Sequence, residues 1–342
     1  MARFFALGLA VVVGLAGGAG VASAATSPTL AKVQKNKFLR CGVSEGLPGF
    51  SNADKAGNWT GIDVDICRAI AAAIFNDPKA VRFFPTSAKV RFTALQSGEF
   101  DILSRNTTIT MNRDTQLGLD FAGVTYYDGQ GFMVPKKLNV TSAKQLGGAN
   151  ICTQTGTTTE LNLADYFRAN KLAYKVIAFE KDDEVTAAYD AGRCDALTTD
   201  QSGLYAQRLQ LKSPNDHIIL PEIISKEPLG PAVNQGDPQW TDIVRWTMAA
   251  MVNAEELGVT SKNVDQMLKS DNPEIRRLLG VEGDVGTPMG LPRDWAVRIL
   301  RHVGNYGEIF ERNVGQGSPL KIKRGLNALW KNGGLQYGLP IR

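Results

Sequence analysis

Asp101-Ile102-Leu103-Ser104-Arg105-Asn106-Thr107-Thr108-Ile109-Thr110-Met111-Asn112-Arg113 is the stretch on which the reading of this chain turns. It begins as a short apolar strand and opens into hydroxyl and amide side chains. Arg113 follows about one helical turn after a cap residue, Thr110. A strand that empties into hydroxyls, an amide and a guanidinium makes an anion site and supplies no catalytic base.

Outward from it, strands and helices alternate. Residues 37–43, 81–84 and 100–103 read as strands. Val64, Ile66, Cys67, Ile70, Ala73 and Ile74 recur at helical spacing, and 91–97 is a short helix. Residues 132–135 read as a strand ending at Pro135 and as the first crossing to a second lobe. A second series follows: strands at 149–153, 174–179, 194–198 and 217–220, helices at 158–169, 182–191 and 201–211. Residues 228–233, with Pro228, Gly230 and Pro231, read as the return crossing. Helices at 237–257 and 264–279 come next, then a Gly-rich tail with one helix around 295–303. Such alternation implies parallel sheet and an α/β fold. The expected division is 26–134 and 231–280 for lobe one, 135–230 for lobe two, and 281–342 as an extension packed on lobe one. No period of 20–50 residues repeats, which excludes a solenoid.

The 342 residues are enough for two lobes, and 43% hydrophobic with 21% charged residues fits a globular chain. A net charge of +4 without a basic block argues against nucleic acid. Residues 1–25 read as a secretory leader: Arg3, an apolar run from Phe4 to Gly18, and Ala22-Ser23-Ala24, with cleavage after Ala24 or Ala25. No cysteine follows that run until Cys41, so a lipid anchor is not indicated, and the mature chain is expected to be secreted and soluble. In an oxidising compartment four cysteines form two disulfides, and three connectivities are possible. Cys41 with Cys67 and Cys152 with Cys194 is favoured, because each pair falls within one expected lobe. The long spacings, and histidines only at 217 and 302, argue against a zinc site.

In open α/β sheets ligands sit beyond the carboxyl ends of the strands. That points to loops 44–50, 104–113, 154–160 and 199–202. Gln154-Thr155-Gly156-Thr157-Thr158-Thr159-Glu160 is a strand-to-helix turn in which Thr157 and Glu160 fit a capping box. The N–H groups of Thr158 and Thr159 would face an anion at the helix start. No lysine stands where a nucleotide loop needs one. Asp200 reads either as an acceptor for an ammonium group or as the N-cap of the helix beginning near Gln201. An arginine and a helix start for a carboxylate, with an aspartate for an ammonium, describe the head group of an α-amino acid. Catalytic patterns are weak: neither His217 nor His302 lies near a nucleophile turn. Glu45 and Asp200 could form a carboxylate pair, whereas Asp182, Asp183 and Glu184 read as a solvated helix start.

Taken together, these residues resemble the substrate-binding proteins of polar amino-acid ABC importers, with a type II periplasmic binding fold. The matching pieces are Gly61-Ile62-Asp63-Val64-Asp65-Ile66, residues 101–113, Gly156-Thr157-Thr158, and Gly192-Arg193-Cys194-Asp195 leading to Asp200, within roughly residues 37–260. Ser104-Arg105-Asn106-Thr107-Thr108, Tyr126-Tyr127-Asp128-Gly129-Gln130-Gly131-Phe132, Thr199-Asp200-Gln201-Ser202-Gly203 and the long tail are similar to the branch that binds glutamate, glutamine, aspartate and asparagine. The resemblance implies that Arg113, Asn106, Thr108 and the backbone of Thr158 hold the α-carboxylate and Asp200 the α-amino group. It places Arg91 where a side-chain-reading arginine stands, and Ser44 and Glu45 in the first ligand loop. Arg105 and Asn106 depart from the small residues usual there, and Arg105 would reach the ligand side chain or brace the wall. Phe50 and Trp59 are the candidates for an aromatic cover.

The implied mechanism is capture by lobe closure and delivery by a monomeric protein to a membrane permease whose partner ATPase supplies energy; no cofactor is implied. The competing expectation is a periplasmic lyase on the same fold with Glu45 as general acid or base. A receptor or lytic fusion would need a spanning segment or an added domain. Lys321 to Arg324 and Trp330 suggest a tail helix that braces lobe one or touches the permease.

Overall fold

The computed structural model describes residues 27–342, so the leader expected at 1–25 lies outside the described residues. Two five-stranded sheets carry the two lobes. In the first, the order is Val81–Pro85, Leu39–Val43, Ile102–Leu103, Ala232–Asn234, Leu119–Phe121. The first three are parallel, and Ala232–Asn234 runs antiparallel to both its neighbours. The second sheet follows the same plan: Lys175–Phe179, Asn150–Gln154, Ala196–Asp200, then Gln130–Pro135 antiparallel, with His217–Ile219 at the edge.

Between the sheets the chain crosses twice, and the two crossings pair with each other. Tyr126–Asp128 and Glu227–Leu229 form a two-stranded antiparallel ribbon. The first crossing therefore lies upstream of the expected one. Gln130–Pro135 is instead a strand of the second sheet, and Phe132, Met133 and Val134 are fully buried there. An apolar run ending in proline looks the same in sequence whether it links two lobes or fills the middle of a sheet, and here it does the second, so the chain has already crossed before 134/135.

Helix Ile62–Phe75 packs almost its whole surface in lobe one. Gly61 precedes it with φ 134°, and a Cβ there would stand 2.0 Å from the Phe50 carbonyl oxygen, so only glycine lets the loop close onto the helix start. Cys67 on this helix is bonded to Cys41 of strand Leu39–Val43, and Cys152 to Cys194 in lobe two, the pairing favoured from the sequence. The expected single helix at 264–279 is two short ones, Val264–Met267 and Pro273–Leu278, because Pro273 starts a new helix capped by Asn272.

The tail covers lobe one. Trp295–His302 and Tyr306–Asn313 bury Trp295, Ile299, Leu300, Ile309 and Phe310 in the lobe-one core with Ile66, Ile70 and Val244. Arg312 and Asn313 bind Asp65 (2.8 Å and 2.7 Å). The expected helix at 321–330 is absent; two 3-10 turns, Gly325–Asn327 and Trp330–Asn332, take its place. Asn327 holds the first crossing strand by both backbone groups: Tyr127 N donates to its Oδ1 (2.7 Å), and its Nδ2 donates to Tyr127 O (3.0 Å). No helix among the described residues is long and apolar enough to cross a membrane.

Candidate functional site: a closed cleft between the lobes

Three buried arginines line the lobe-one wall. Arg91 begins helix Arg91–Gln96 and donates from Nη1 to Thr107 Oγ1 (3.3 Å), and Thr107 in turn donates to the Arg105 carbonyl (2.7 Å). Arg105 is 2% exposed, and its Nε donates to the Thr86 carbonyl at 2.8 Å. Arg113 donates from Nη1 to the Thr108 carbonyl (2.7 Å) and sits with Arg91 over the ring of Phe92, at 5.0 and 4.8 Å. Burial, then Arg105 and Arg113, push Arg91 well below the usual guanidinium range, and burial lowers Arg113 to about 10. Groups so placed are stabilised by an anion in the cleft.

The expected donor run is held in part by the protein itself. Asn106, at φ 28°, donates its N–H to Asp63 Oδ2 (2.8 Å), and Asp63 is buried at the start of helix Ile62–Phe75. The Asn106 Oδ1 is buried without a partner. Thr108 and Thr158 both donate their hydroxyls to Glu227 Oε2, at 2.6 and 2.9 Å, and their oxygens stand 3.4 Å apart across the cleft. Asn162 Nδ2 and Ser225 Oγ bind the other Glu227 oxygen, each at 2.6 Å. The hydroxyl protons of these threonines are thus committed to Glu227, and what they offer a ligand is backbone N–H. Thr108 pairs with Leu229 through the bonds of its neighbours, Ile109 N to Pro228 O and Gly230 N to Thr107 O, so its own N–H points away from that strand.

On lobe two, strand Asn150–Gln154 ends in the turn that starts helix Thr158–Ala169. Half of the expected capping box forms: Glu160 N donates to Thr157 Oγ1 (3.3 Å). The Glu160 carboxylate instead accepts from Thr155 Oγ1 (3.2 Å) and Gly156 N (3.3 Å). The first-turn N–H groups of Thr158 and Thr159 have no intrahelical acceptor and open at the cleft. Gly156, at φ 75°, brings this turn against lobe one, where a Cβ would lie 3.0 Å from Lys89 Cα. Lys89 and Glu180 pair across the same rim at 3.4 Å. The lobes are shut.

Asp200 ends strand Ala196–Asp200 and holds the N-cap position of helix Gln201–Arg208, yet its side chain accepts no capping bond. That removes the N-cap alternative for its carboxylate. Burial, Asp128 and Glu227 raise its pKa well above the carboxylate range, against the pull of Arg91 and Arg113. Asp128 is raised to about 6 by burial, although Ser202 and the Gly129 N–H donate to it. The Asp200 carboxyl is thus buried without a capping role.

Arg91, Arg105, Asn106, Thr108, Thr157, Thr158 and Asp200 thus border one hollow. Arg113 lies behind it, under Thr108. Ser44 and Glu45 stand at its rim rather than in its lining: Ser44 is buried, its N–H held by Ser51 Oγ (2.9 Å), and Glu45 is exposed, near enough to Arg105 and Asp182 to feel their charges. Phe50 and Trp59 are not a cover either, since Phe50 packs on Tyr126 (5.3 Å) and Trp59 on Phe83 (5.7 Å). Asp182, read as solvated, borders the hollow with Gln154, Thr199 and Gln207. Sequence reasoning missed Glu227 altogether, and its only signal is a charge next to the Pro228 crossing. Two further hollows lie beside the tail on lobe one, away from the cleft between the sheets, one lined by Glu256, Arg277 and Trp330 and another by Trp246 and Met289.

The family of bacterial extracellular solute-binding proteins, family 3, matches residues 39–263. The chain belongs to that family. It is 63% identical over 336 residues to the general L-amino acid-binding periplasmic protein AapJ of Rhizobium johnstonii, covering 98% of each chain. It is 53% identical to the glutamate/glutamine/aspartate/asparagine-binding protein BztA of Rhodobacter capsulatus, over 94% of this chain and 96% of that one. Among solved structures, an ABC transporter periplasmic binding protein from Brucella ovis with glutathione bound superposes with a TM-score of 0.91 at 63% identity, covering 92% of this chain and 99% of that one. This is a type II periplasmic binding fold, and the chain is a solute-binding protein of the ABC-transporter kind rather than an enzyme. The relatives lend the lyase alternative no support.

Proposed function

We propose that this protein captures polar L-amino acids, glutamate, glutamine, aspartate and asparagine foremost, by closing its lobes in the periplasm, and hands them as a monomer to a membrane permease. One observation carries the reading: Asp200, a buried carboxylate that caps nothing, shares the hollow with a helix start and a wall of arginines. The ammonium of an α-amino acid would neutralise Asp200. Its carboxylate would take the N–H groups of Thr158, Thr159 and Thr108 with Arg113 behind them, and Asn106 beside it. Ligand contacts made by both lobes favour the closed form by the difference in affinity between open and closed states.

The names of the relatives support the ligand class. The Brucella structure supports a second ligand, glutathione, whose γ-glutamyl end carries the same α-amino-acid head group. Leader cleavage near Ala24 or Ala25 belongs to the same proposal. Calorimetry of the mature protein with the twenty L-amino acids, D-glutamate and glutathione tests it. Binding of L-glutamate or L-glutamine without chemical change is expected; binding of none of them, or release of a product, would overturn it.

A further inference from the structure

The head group accounts for Asp200, Arg113 and the helix start, and leaves one end of the hollow unexplained. There Arg105 enters from lobe one, its guanidinium anchored through Nε on the Thr86 carbonyl. Facing it from lobe two is Asp182, the first residue of helix Asp182–Asp190, and Gln207 of helix Gln201–Arg208. Gln207 Nε2 leans on Asp182 Oδ1 at 3.5 Å, and its Oε1 is buried with no partner. Arg105 and Asp182 feel each other's charge. The lobe-one wall carries donors, the guanidiniums of Arg105 and Arg91, with the exposed Glu45 carboxylate at its rim near Arg105. The other carries acceptors, the Asp182 carboxylate and Gln207 Oε1.

A carboxylate at the end of a ligand side chain has acceptors only. It satisfies Arg105 and Arg91 but sets its second oxygen against Asp182 and leaves Gln207 Oε1 unpaired. A primary amide has both kinds of group: its oxygen can accept from Arg105 while its NH₂ donates to Asp182 and Gln207. We propose that Arg105, Asp182 and Gln207 form the subsite that reads the far end of the ligand side chain, and that Asp182 with Gln207 admits amides beside acids. The proposal rests on the amino-acid reading above and adds to it how one site takes amides beside acids. Asp182 and Gln207 are specificity residues, since neither is needed by the head group.

Leaving a buried acceptor or a like-charge contact unrelieved shifts affinity by roughly 10- to 100-fold. The experiment measures Kd for L-glutamine and L-glutamate on wild type, Asp182→Asn and Gln207→Met, each checked for native melting. Asp182→Asn is expected to tighten glutamate and weaken glutamine, moving the ratio of the two constants by about 10-fold or more. Gln207→Met, which keeps the length and removes the free acceptor, weakens glutamine several-fold and spares glutamate. A ratio within twofold of wild type in both variants, or equal loss of both ligands, overturns the subsite while the amino-acid reading stands. Wild type that binds neither ligand sinks the amino-acid reading and this one with it.

Discussion

Replacing Asp200 with asparagine separates a binding carboxylate from a structural one, because the two roles predict opposite signs for stability. The side chain accepts no capping bond, is 7% exposed, and lies near Asp128 and Glu227. Without ligand it is a desolvated carboxyl whose folded pKa lies well above its unfolded one. A carboxyl shifted in that direction favours the fold below its unfolded pKa, and the benefit disappears as pH rises through the folded value. At neutral pH the wild-type apoprotein therefore carries a cost that asparagine removes. Replacing buried charge by a neutral group of similar shape commonly gains about 1–4 kcal/mol, which at this size corresponds to roughly 2–8 °C in Tm. The gain should shrink as pH falls toward about 4, where the wild-type group binds a proton in both states. Ligand binding moves the other way. Truncating one partner of a buried charge pair costs about 2–5 kcal/mol, or roughly 30- to 4,000-fold in Kd. Thermal scanning of apo and ligand-saturated protein from pH 4 to 8, with calorimetry, reads both. An apo Asp200→Asn protein that melts lower than wild type at pH 7, or one whose Kd stays within threefold, would refute the reasoning.

Arg113→Ala should abolish binding of every amino acid, since it removes the carboxylate partner and the bond to the Thr108 carbonyl together; selective loss of one ligand by calorimetry would contradict this. Arg91→Ala should weaken glutamate and aspartate more than glutamine, and equal losses would count against a side-chain role. Asn327→Ala removes both bonds to the Tyr127 backbone, so it should cost about 1–3 kcal/mol and lower Tm by several degrees; an unchanged melt would show the crossing needs no brace. Double alanine replacement of Cys41 and Cys67, or of Cys152 and Cys194, opens loops of 26 and 42 residues. Each should cost about 3–4 kcal/mol in urea unfolding, with loss near zero pointing to a constrained unfolded state.

Sequence alone determined the features that depend on near neighbours. The alternation of strands and helices follows from periods of two and 3.6 residues, and it carried the two-lobed α/β fold. The cysteine pairs were legible because each falls within one stretch of alternation. The donors after strand Ile102–Leu103 were legible because so many small polar groups after an apolar strand need partners. Other features were decided only where distant segments meet. Thr108 and Glu227 are 119 residues apart, and nothing local reveals that the second occupies the hydroxyl of the first. Asp182 looks like any acidic helix start until the second lobe folds it against Arg105. Asp200 reads as a helix cap or a ligand residue, and only side-chain geometry removes the first. The crossing at Tyr126–Asp128 was hidden for the same reason: a hinge is defined by which strand pairs across it, and its partner is Glu227–Leu229.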